Sequence, residues 1–200
     1  MDILMSPNIM ISEKPILIDL GCGKNKYKST KYNVIGVDLS KASDADLHIS
    51  AFELPFENES VDYVYSRHFL EHFEFREIEK LLLEIFRILK SGYKVEIIVP
   101  HVSCISAFQD PTHKTFFTRN SFFKLQYLGF KVIHTNFHWF KKPYKGRFPF
   151  IVKFFDKILN RFLFLERFCS LIGGIYEIRC LMEKSENMRD PDFTPGENIK

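Results

Sequence analysis

Short apolar runs alternate with turn signals along the first two thirds of the chain. Several of them, including ILIDL, VIGVD and VEIIV, are almost continuously apolar, which is typical of central parallel strands covered on both faces. The alternation predicts an α/β domain with a largely parallel sheet. The seven predicted strands are residues 15–20, 33–38, 47–49, 61–66, 94–99, 130–135 and 175–182.

Two segments have the three- and four-residue spacing of amphipathic helices. The first covers residues 69–90, and Ser91 and Gly92 mark its predicted end, since glycine commonly stops helices. The second covers residues 151–169, with a polar stripe that includes Lys153 and Lys157 opposite a face rich in phenylalanine. The polar residues 183–200 are predicted to form a disordered tail after a single domain of residues 1–182.

Composition narrows the class of protein. The 200 residues are 46% hydrophobic with a formal charge of +3, which fits one folded domain and is too mild a charge to indicate nucleic acid. The four cysteines lack metal or disulfide spacing, and no stretch has the length of a signal peptide or a spanning helix. We therefore expect a cytoplasmic protein without a structural metal.

The clearest chemical signal is the segment ILIDLGCGKNKY, in which a buried strand runs directly into Gly21, Cys22 and Gly23. Glycine allows a tight turn and a close approach of backbone N–H groups to a ligand. The next strand ends at Asp38, and an acid at this position can accept both hydroxyls of a ribose. Together the two features predict a nucleotide-type cofactor site at the carboxyl edge of the sheet.

Four ordered segments resemble the class I S-adenosylmethionine-dependent methyltransferases, in particular their type 11 group. They are DLGCG, GVD, ELPFENESVDYVYSRHFLEHF and EIFRILKSGYKVEIIVP. The resemblance implies a Rossmann-like, seven-stranded α/β sheet with helices on both faces. In that fold the strands are mostly parallel and the last strand is antiparallel.

The resemblance also implies S-adenosylmethionine as the cofactor and a role for individual residues. Asp19 and the Gly21-Cys22-Gly23 loop would flank the methionine moiety, and Asp38 with Leu39 would hold the ribose. Ala51 and Phe52 would border the adenine, and Ser66 would lie near the sulfonium.

The chain departs from the family pattern in three places. Asn25 replaces the third glycine of the loop, and Ser50 stands where many relatives have an acid that contacts adenine. Only residues 24–32 connect the first two strands, whereas a parallel crossover normally needs a dozen or more. We therefore expect a shortened first crossover with at most a turn of helix.

Three other motifs compete with the methyltransferase interpretation. The segment from His68 to His72 matches HxxEH, a zinc-peptidase signature, but it lies directly after a strand and inside the methyltransferase-like segment. A nicotinamide site would need glycine at Lys26, and a serine hydrolase would need a GxSxG elbow. We therefore assign no metal and no nicotinamide.

Methyl transfer from a sulfonium depends mainly on alignment of the reacting atoms, although a base near the methyl group helps when the acceptor carries a proton. The long loop after the fifth strand supplies three candidates, His101, Asp110 and His113. Residues 107–170, which include part of this loop, are expected to form a lid and amphipathic region over the acceptor. The alternative for DPTH is a simple turn in which Asp110 bonds nearby N–H groups.

The segment from residue 137 to 168 combines aromatic residues with eight basic and two acidic ones. It can be a helix packed on the sheet with a solvated charged face, a surface for an anionic membrane or lipid-like acceptor, or a groove for RNA. The placement of the aromatics favours an apolar partner at residues 148–169 over nucleic acid. The predicted function is methyl transfer to a small or lipid-like acceptor, and the alternative is a non-catalytic cofactor-binding or scaffolding subunit.

Overall fold

The fold is that of a computed structural model, which describes residues 14–140, 146, 148–167 and 174–189. Six strands form one sheet in the order β2-β1-β3-β4-β6-β5. The strands are β1 Ile16–Leu20, β2 Asn33–Val37, β3 Val61–Arg67, β4 Leu89–Pro100, β5 Leu128–His138 and β6 Glu177–Arg189.

The direction of the strands confirms the predicted mostly parallel sheet with an antiparallel last strand. Strand β1 is parallel to β2 and β3, and β3 is parallel to β4. Strand β6 lies antiparallel between β4 and β5. The connection between β1 and β2 contains no helix, as expected from its length. The cofactor-site residues of β1 and β2 therefore meet at one edge of the sheet.

Four α-helices flank the sheet in the part of the chain that the structure describes. Helix α1, Phe75–Ile88, packs its apolar stripe, from Ile78 to Ile88, into the core. Its first turn is capped because Glu77 accepts a 2.8 Å hydrogen bond from the N–H of Glu74. The helices are α1 Phe75–Ile88, α2 Ser106–Gln109, α3 Arg119–Lys124 and α4 Pro149–Arg161, with 3-10 turns at Leu70–His72 and Leu163–Arg167.

Three predicted boundaries were wrong. The predicted strand at residues 47–49 is a single bridge between Val37 and Leu47, so the described sheet has six strands. Helix α1 ends at Ile88, and Ser91 and Gly92 belong to β4, where Gly92 has a φ of +77°. The helix predicted for 151–169 starts at Pro149, where proline suits the first turn, and its α-helical part ends at Arg161.

The predicted start of the disordered tail was also wrong, because β6 continues to Arg189. The cause is Lys184, whose ammonium is buried and donates to the carbonyl of Leu89 at 2.8 Å. Polar composition alone therefore gave a boundary that was several residues too early. Residues 190–200 of the predicted tail lie outside the described residues.

Helix α4 docks on β5 through polar side chains. Asn160 accepts from the N–H of Phe137 at 2.7 Å and donates to the carbonyl of the same residue at 2.8 Å. Asp156 accepts from the N–H of Trp139 at 2.8 Å. Strand β5 is the edge of the sheet, so these side chains satisfy backbone groups that have no neighbouring strand. The polar stripe of the predicted helix also contains Asp156 and Asn160, and the interpretation that placed this stripe in solvent is wrong for these two residues.

Candidate active site

The glycine loop follows β1 directly and is held against β2. Gly21 and Gly23 have φ angles of +68° and +53°, which residues with a Cβ rarely adopt. The N–H of Gly21 donates to the carbonyl of Val37 at 2.9 Å. Cys22 is buried, and burial raises the pKa of its thiol to about 11, so the thiol stays neutral. The loop thus offers backbone groups and no reactive nucleophile.

Asp19 lies beneath this loop at the end of β1. It is 3% exposed and accepts a hydrogen bond from the N–H of Tyr27 at 2.6 Å. Burial raises the pKa of Asp19 to about 6, although the bond from Tyr27 and the charge of Lys26 oppose the shift. A buried carboxylate with such a pKa is a good counter-charge for a cationic ligand.

Asp38 follows β2 and is tied to the glycine loop. One carboxylate oxygen accepts from the N–H of Gly23 at 2.9 Å, and the other accepts from the N–H of Ser40 at 2.8 Å. These bonds fix the carboxylate while each oxygen keeps a lone pair for a further donor. Leu39 beside it is 74% exposed, so its apolar side chain is available to cover a ligand.

The residues predicted to border adenine lie on the loop after the Leu47 bridge. Ala51 is buried, and the half-buried ring of Phe52 packs edge-on against Phe73 at 5.3 Å between centroids. Ser66 lies inside β3, is fully buried and donates to the carbonyl of Leu20 at 3.2 Å. Ser66 therefore joins β1 to β3, and its predicted place near the sulfonium stays a prediction.

A cavity of about 630 Å³ opens beside these residues, at the carboxyl ends of β3 and β4. Its size is typical of sites for small molecules. Most of its lining groups are polar, and they come from the 68–72 turn, the loop after β4 and the start of β6. The lining residues are His68, Glu71, His72, Pro100, Ser106, Gln109, Asp110, Pro111, His113 and Tyr176.

His68 follows the last residue of β3 directly and lines this cavity. Its φ of +52° is unusual for a non-glycine residue, and such backbone strain clusters at functional sites. The ring lies 3.3 Å from the carboxylates of both Glu71 and Glu177. Burial opposes the charge on the ring, but these two carboxylates outweigh it and raise the pKa of His68.

Glu177 is the most strongly perturbed of these acids. It is almost fully buried and accepts from His138 at 3.0 Å and from Arg67 at 3.1 Å. Burial alone would raise its pKa, but the bonds from His138 and His68 and the charge of Arg67 hold the pKa of Glu177 far below its usual range. Glu177 therefore stays ionised and holds the ring of His68, which lines the cavity.

The three predicted catalytic residues occupy different places. Asp110 and His113 line the cavity, and His101 does not. The Nδ1 atom of His101 accepts from the N–H of Ser103 at 3.1 Å, so its Nε2–H donates to Glu166 at 2.8 Å. Both ring nitrogens of His101 are thus engaged in holding the loop, whereas His113 presents a nitrogen to the cavity.

Asp110 forms the turn that the alternative interpretation of DPTH described. One of its oxygens accepts from the N–H and the hydroxyl of Thr112, at 2.9 and 2.6 Å. The two hydrogen bonds lower the pKa of this exposed carboxyl. Asp110 consequently shapes the rim of the cavity as well as lining it.

The HxxEH segment lacks the helix that a zinc peptidase needs. Residues Leu70–His72 form only a 3-10 turn, and α1 begins at Phe75. His68 and His72 therefore do not lie one helical turn apart on a common α-helix.

Sequence reasoning missed Phe69, Glu71, Tyr176 and Glu177 as residues of the two sites. The ring of Phe69 fills the space over Gly21 and joins the glycine loop to the cavity. In the sequence, Glu71 and Glu177 each stand among mainly apolar neighbours. A charged residue within such a segment was the signal that could have marked them as site residues. Their burial depends on pairing between distant elements, which residue spacing does not reveal.

Comparison with known proteins agrees with this architecture. Residues 18–95 match the sequence family of methyltransferase domains of type 11, whose cofactor is S-adenosylmethionine. The match covers both glycines, Asp38 and the 68–72 turn. A comparison with curated proteins found no match.

Several solved structures have a similar fold at low sequence identity. A SAM-dependent methyltransferase from Archaeoglobus fulgidus is 19% identical, with a TM-score of 0.63 over 86% of both chains. The phosphoethanolamine N-methyltransferase 2 of Haemonchus contortus is 18% identical with a TM-score of 0.56. That alignment covers 86% of the present chain and 49% of the Haemonchus enzyme, so this chain spans about half of its length.

The geranyl diphosphate C-methyltransferase of Streptomyces coelicolor A3(2) is 13% identical, with a TM-score of 0.57 over 86% of this chain and 73% of that one. At these identities the similarity shows the fold. Together with the match over residues 18–95, it shows that the chain has the fold of the class I, S-adenosylmethionine-dependent methyltransferases and resembles their type 11 group over that part of its sequence.

Proposed function

We propose that the protein transfers a methyl group from S-adenosylmethionine to a small acceptor whose polar head group binds in the 630 Å³ cavity. The observation that carries the proposal is the contact between Asp38 and Gly23. It joins an acid for the ribose to the glycine loop at the edge where open α/β sheets bind ligands.

The chemistry of the donor set fits this cofactor. Asp19 offers a buried carboxylate for the cationic methionine end, and Asp38 offers acceptors for the ribose hydroxyls. Leu39 offers apolar surface beside the ribose, and Ala51 and Phe52 offer it for the adenine. When bound, S-adenosylmethionine supplies the activated methyl group, and the protein aligns the acceptor and keeps water away.

Polar groups dominate the acceptor side. His68, Glu71, Asp110 and His113 all face one cavity, which suits a charged or strongly hydrogen-bonding head group. Ile105 and Phe108 are exposed at and near α2, where they offer contact to an apolar part of a lipid-like acceptor. Structures of similar fold belong to enzymes named for phosphoethanolamine and geranyl diphosphate. Both of these compounds carry a charged phosphate or diphosphate group.

His113 is the catalytic candidate that the geometry favours. Its Nδ1 lies 2.8 Å from the carbonyl of Ala107, which can only accept, so Nδ1 carries the proton. The Nε2 atom then holds a lone pair near the cavity and can contact an acceptor. Asp110 acts by shaping the rim, and His101 by holding the loop.

Titration calorimetry with S-adenosylmethionine and S-adenosylhomocysteine tests the cofactor site. Wild-type protein is expected to bind both, and Asp38→Ala is expected to lose at least about a hundredfold in affinity, since it removes charged hydrogen bonds to two hydroxyls. Asp44→Ala, which removes an exposed acid on the same loop, is the matched control. Failure of the wild type to bind either compound would contradict the proposal.

Turnover separates the enzyme from the scaffolding alternative. Release of S-adenosylhomocysteine is measured with phosphorylated amines and isoprenoid diphosphates as acceptors. Cofactor binding with turnover of some acceptor supports the enzyme. Cofactor binding without turnover of any acceptor in a broad panel favours a non-catalytic subunit.

A further inference from the structure

Three side chains in the acceptor cavity have the character of metal ligands. Glu71, His72 and His113 each present a donor atom, and these atoms all lie within 4.8 Å of one another. Glu71 is only 2% exposed, and one of its oxygens lies 3.3 Å from the ring of His68, but neither oxygen accepts a hydrogen bond of good geometry among the described residues. A buried carboxylate without such partners is costly unless a cation or a donor joins it.

The tautomers of both histidines leave lone pairs available at this point. Thr112 donates its hydroxyl proton to Asp110 at 2.6 Å, so it must accept from Nδ1–H of His72 at 2.9 Å. His113 donates its Nδ1–H to the carbonyl of Ala107 at 2.8 Å. In both neutral rings the Nε2 atom is therefore unprotonated.

The outer hydrogen bonds are those expected around a bound metal. Metal-ligating histidines nearly always donate their other N–H to a carbonyl, a carboxylate or a group that is itself held by one. Here the Asp110-Thr112-His72 chain and the Ala107-His113 bond provide that support. The Nε2 atom of His113 lies 4.0 Å from the Glu71 carboxylate. A tetrahedral ion would hold its donors roughly 3.4 Å apart, so closure needs shifts of about one ångström.

We propose that Glu71, His72 and His113 form a binding site for a divalent transition-metal ion of the zinc class, with an open coordination position toward the acceptor cavity. Two imidazoles, one carboxylate and an open position form a donor set that suits zinc or ferrous iron. With an ion bound, the Nε2 lone pair of His113 would bind the metal, so His113 would act as a ligand and not as a base, and the ion would bind an oxygen of the acceptor head group. Glu71 and His72 of this site belong to the HxxEH segment. The second imidazole comes from His113 and not from His68.

Metal-free protein is titrated with Zn²⁺ alone by calorimetry, without S-adenosylmethionine. We expect one ion per chain with micromolar or tighter affinity, and at least about a hundredfold weakening by His113→Ala. Thr112→Val keeps all three ligands but removes the support of His72, and should weaken binding about tenfold. The control is His134→Ala, which removes an exposed histidine outside the cluster.

Cobalt distinguishes this site from the cysteines. Co²⁺ should give visible absorption bands without a thiolate charge-transfer band. Equal Zn²⁺ affinity in wild type and His113→Ala, or a thiolate band, would overturn the proposal. Circular dichroism of each variant shows that it is folded, so the Zn²⁺ titration stays interpretable even if the protein does not bind S-adenosylmethionine.

An independent observation concerns the outward face of α4. Phe150 and Phe154, 66% and 61% exposed, lie one turn apart on the side that faces away from β5. The buried residues of this helix are Val152 and Leu159, so the predicted apolar face packs inward at Leu159, whereas Phe150 and Phe154 point away from the sheet. Phe164, in the following turn, is 65% exposed.

Exposed basic residues lie between these aromatic rings. Lys153, Lys157 and Arg161 share the outward face with Phe150 and Phe154 at three- and four-residue spacing. Within the described ranges, no helix is long and apolar enough to span a bilayer. Four other basic residues of the 137–168 segment lie outside the described residues. They are Lys141, Lys142, Lys145 and Arg147.

We infer that this face binds the surface of an anionic membrane, with the phenylalanines inserted at the interface and the basic residues at the lipid phosphates. Charge complementarity supports a bilayer, because a helix that mixes aromatic rings with Lys and Arg gains from both apolar burial and anionic head groups. Large exposed apolar patches on folded proteins mark sites of interaction with proteins or membranes, which agrees with this inference.

Cosedimentation with phosphatidylcholine vesicles, with and without phosphatidylglycerol, tests the inference. We expect binding that requires phosphatidylglycerol, falls with salt, and drops at least about tenfold in the double variant Phe150→Ser and Phe154→Ser. Tyr93→Ser removes an exposed aromatic residue of β4 as the control. Binding to neither vesicle, a dimer that the double variant dissociates, or preferential binding of RNA would each overturn the inference.

Discussion

Gly21 and Phe69 lie against each other, and the ring of Phe69 occupies the space where a side chain at position 21 would stand. An added Cβ would approach the ring far inside 3.0 Å, a distance that real Cβ atoms essentially never show. Gly23 also has a positive φ, but a Cβ there would meet nothing within 4 Å. The two glycines of one loop are thus required for different reasons.

Gly21→Ala is expected to lower the free energy of unfolding by about 3 kcal/mol or more, from backbone strain and the clash with Phe69. It should also abolish detectable binding of S-adenosylmethionine. Gly23→Ala should cost only about 1–2 kcal/mol, since it adds backbone strain alone. Urea denaturation of both variants measures the difference, and equal losses would show that Phe69 moves away at little cost.

Asp19 predicts a pH dependence of cofactor binding if it faces the methionine end as proposed. With a pKa of about 6, Asp19 is ionised above that pH and attracts the cationic cofactor, and it becomes protonated below it. Affinity should therefore fall about tenfold between pH 7 and pH 5. Calorimetry across this range measures the effect.

Asp19→Asn is the matched variant, since its amide oxygen can still accept from the N–H of Tyr27. Its affinity should be weaker than that of the wild type at pH 7 and nearly constant from pH 5 to pH 7. A wild-type affinity that does not change over this range would separate Asp19 from the cofactor.

The cofactor half of the site was predictable from sequence because its residues follow their strands directly. Asp38 needs only the end of β2 and the glycine loop to be in place. The acceptor half combines the 68–72 turn, the loop after β4 and the start of β6. Glu177 reaches His68 across 109 positions of the chain, a contact that local spacing cannot predict.

Helix α4 shows a second limit of sequence patterns. The spacing of its phenylalanines predicted an amphipathic helix but not which face docks on the sheet. That choice depends on β5 being an edge strand, whose free backbone groups select Asn160 and Asp156. Edge position is a property of the sheet order, which residue spacing does not give.

Lys184 predicts a stability contribution from the segment that composition assigned to a tail. Its ammonium donates to Leu89 and to Glu59, at 2.8 and 2.9 Å, and lies 4.4 Å from the centre of the Phe86 ring. Lys184→Met keeps the apolar stem and should cost about 1–3 kcal/mol of unfolding free energy through the lost hydrogen bonds. Lys131→Ala, at an exposed position of β5, should change it by less than about 0.5 kcal/mol.

His101 and Glu166 predict a purely positional role for a residue that sequence patterns placed among the catalytic candidates. Glu166 accepts from Nε2–H of His101 at 2.8 Å and from the N–H of Arg119 at 3.0 Å. Burial opposes its charge, yet these bonds lower the pKa of Glu166, so it remains ionised. The pair connects the loop after β4 to the turn that follows α4.

His101→Ala should therefore lower the free energy of unfolding by about 2–4 kcal/mol, because it leaves a partly buried carboxylate with one donor fewer. The affinity for S-adenosylmethionine should stay within about twofold of wild type. His101 lies on the loop after β4, apart from Asp38, so its removal should leave the cofactor site intact. Urea denaturation and calorimetry measure the two effects. A variant of unchanged stability that loses only methyl transfer would instead return His101 to the catalytic residues, because a base can be removed without loosening the loop.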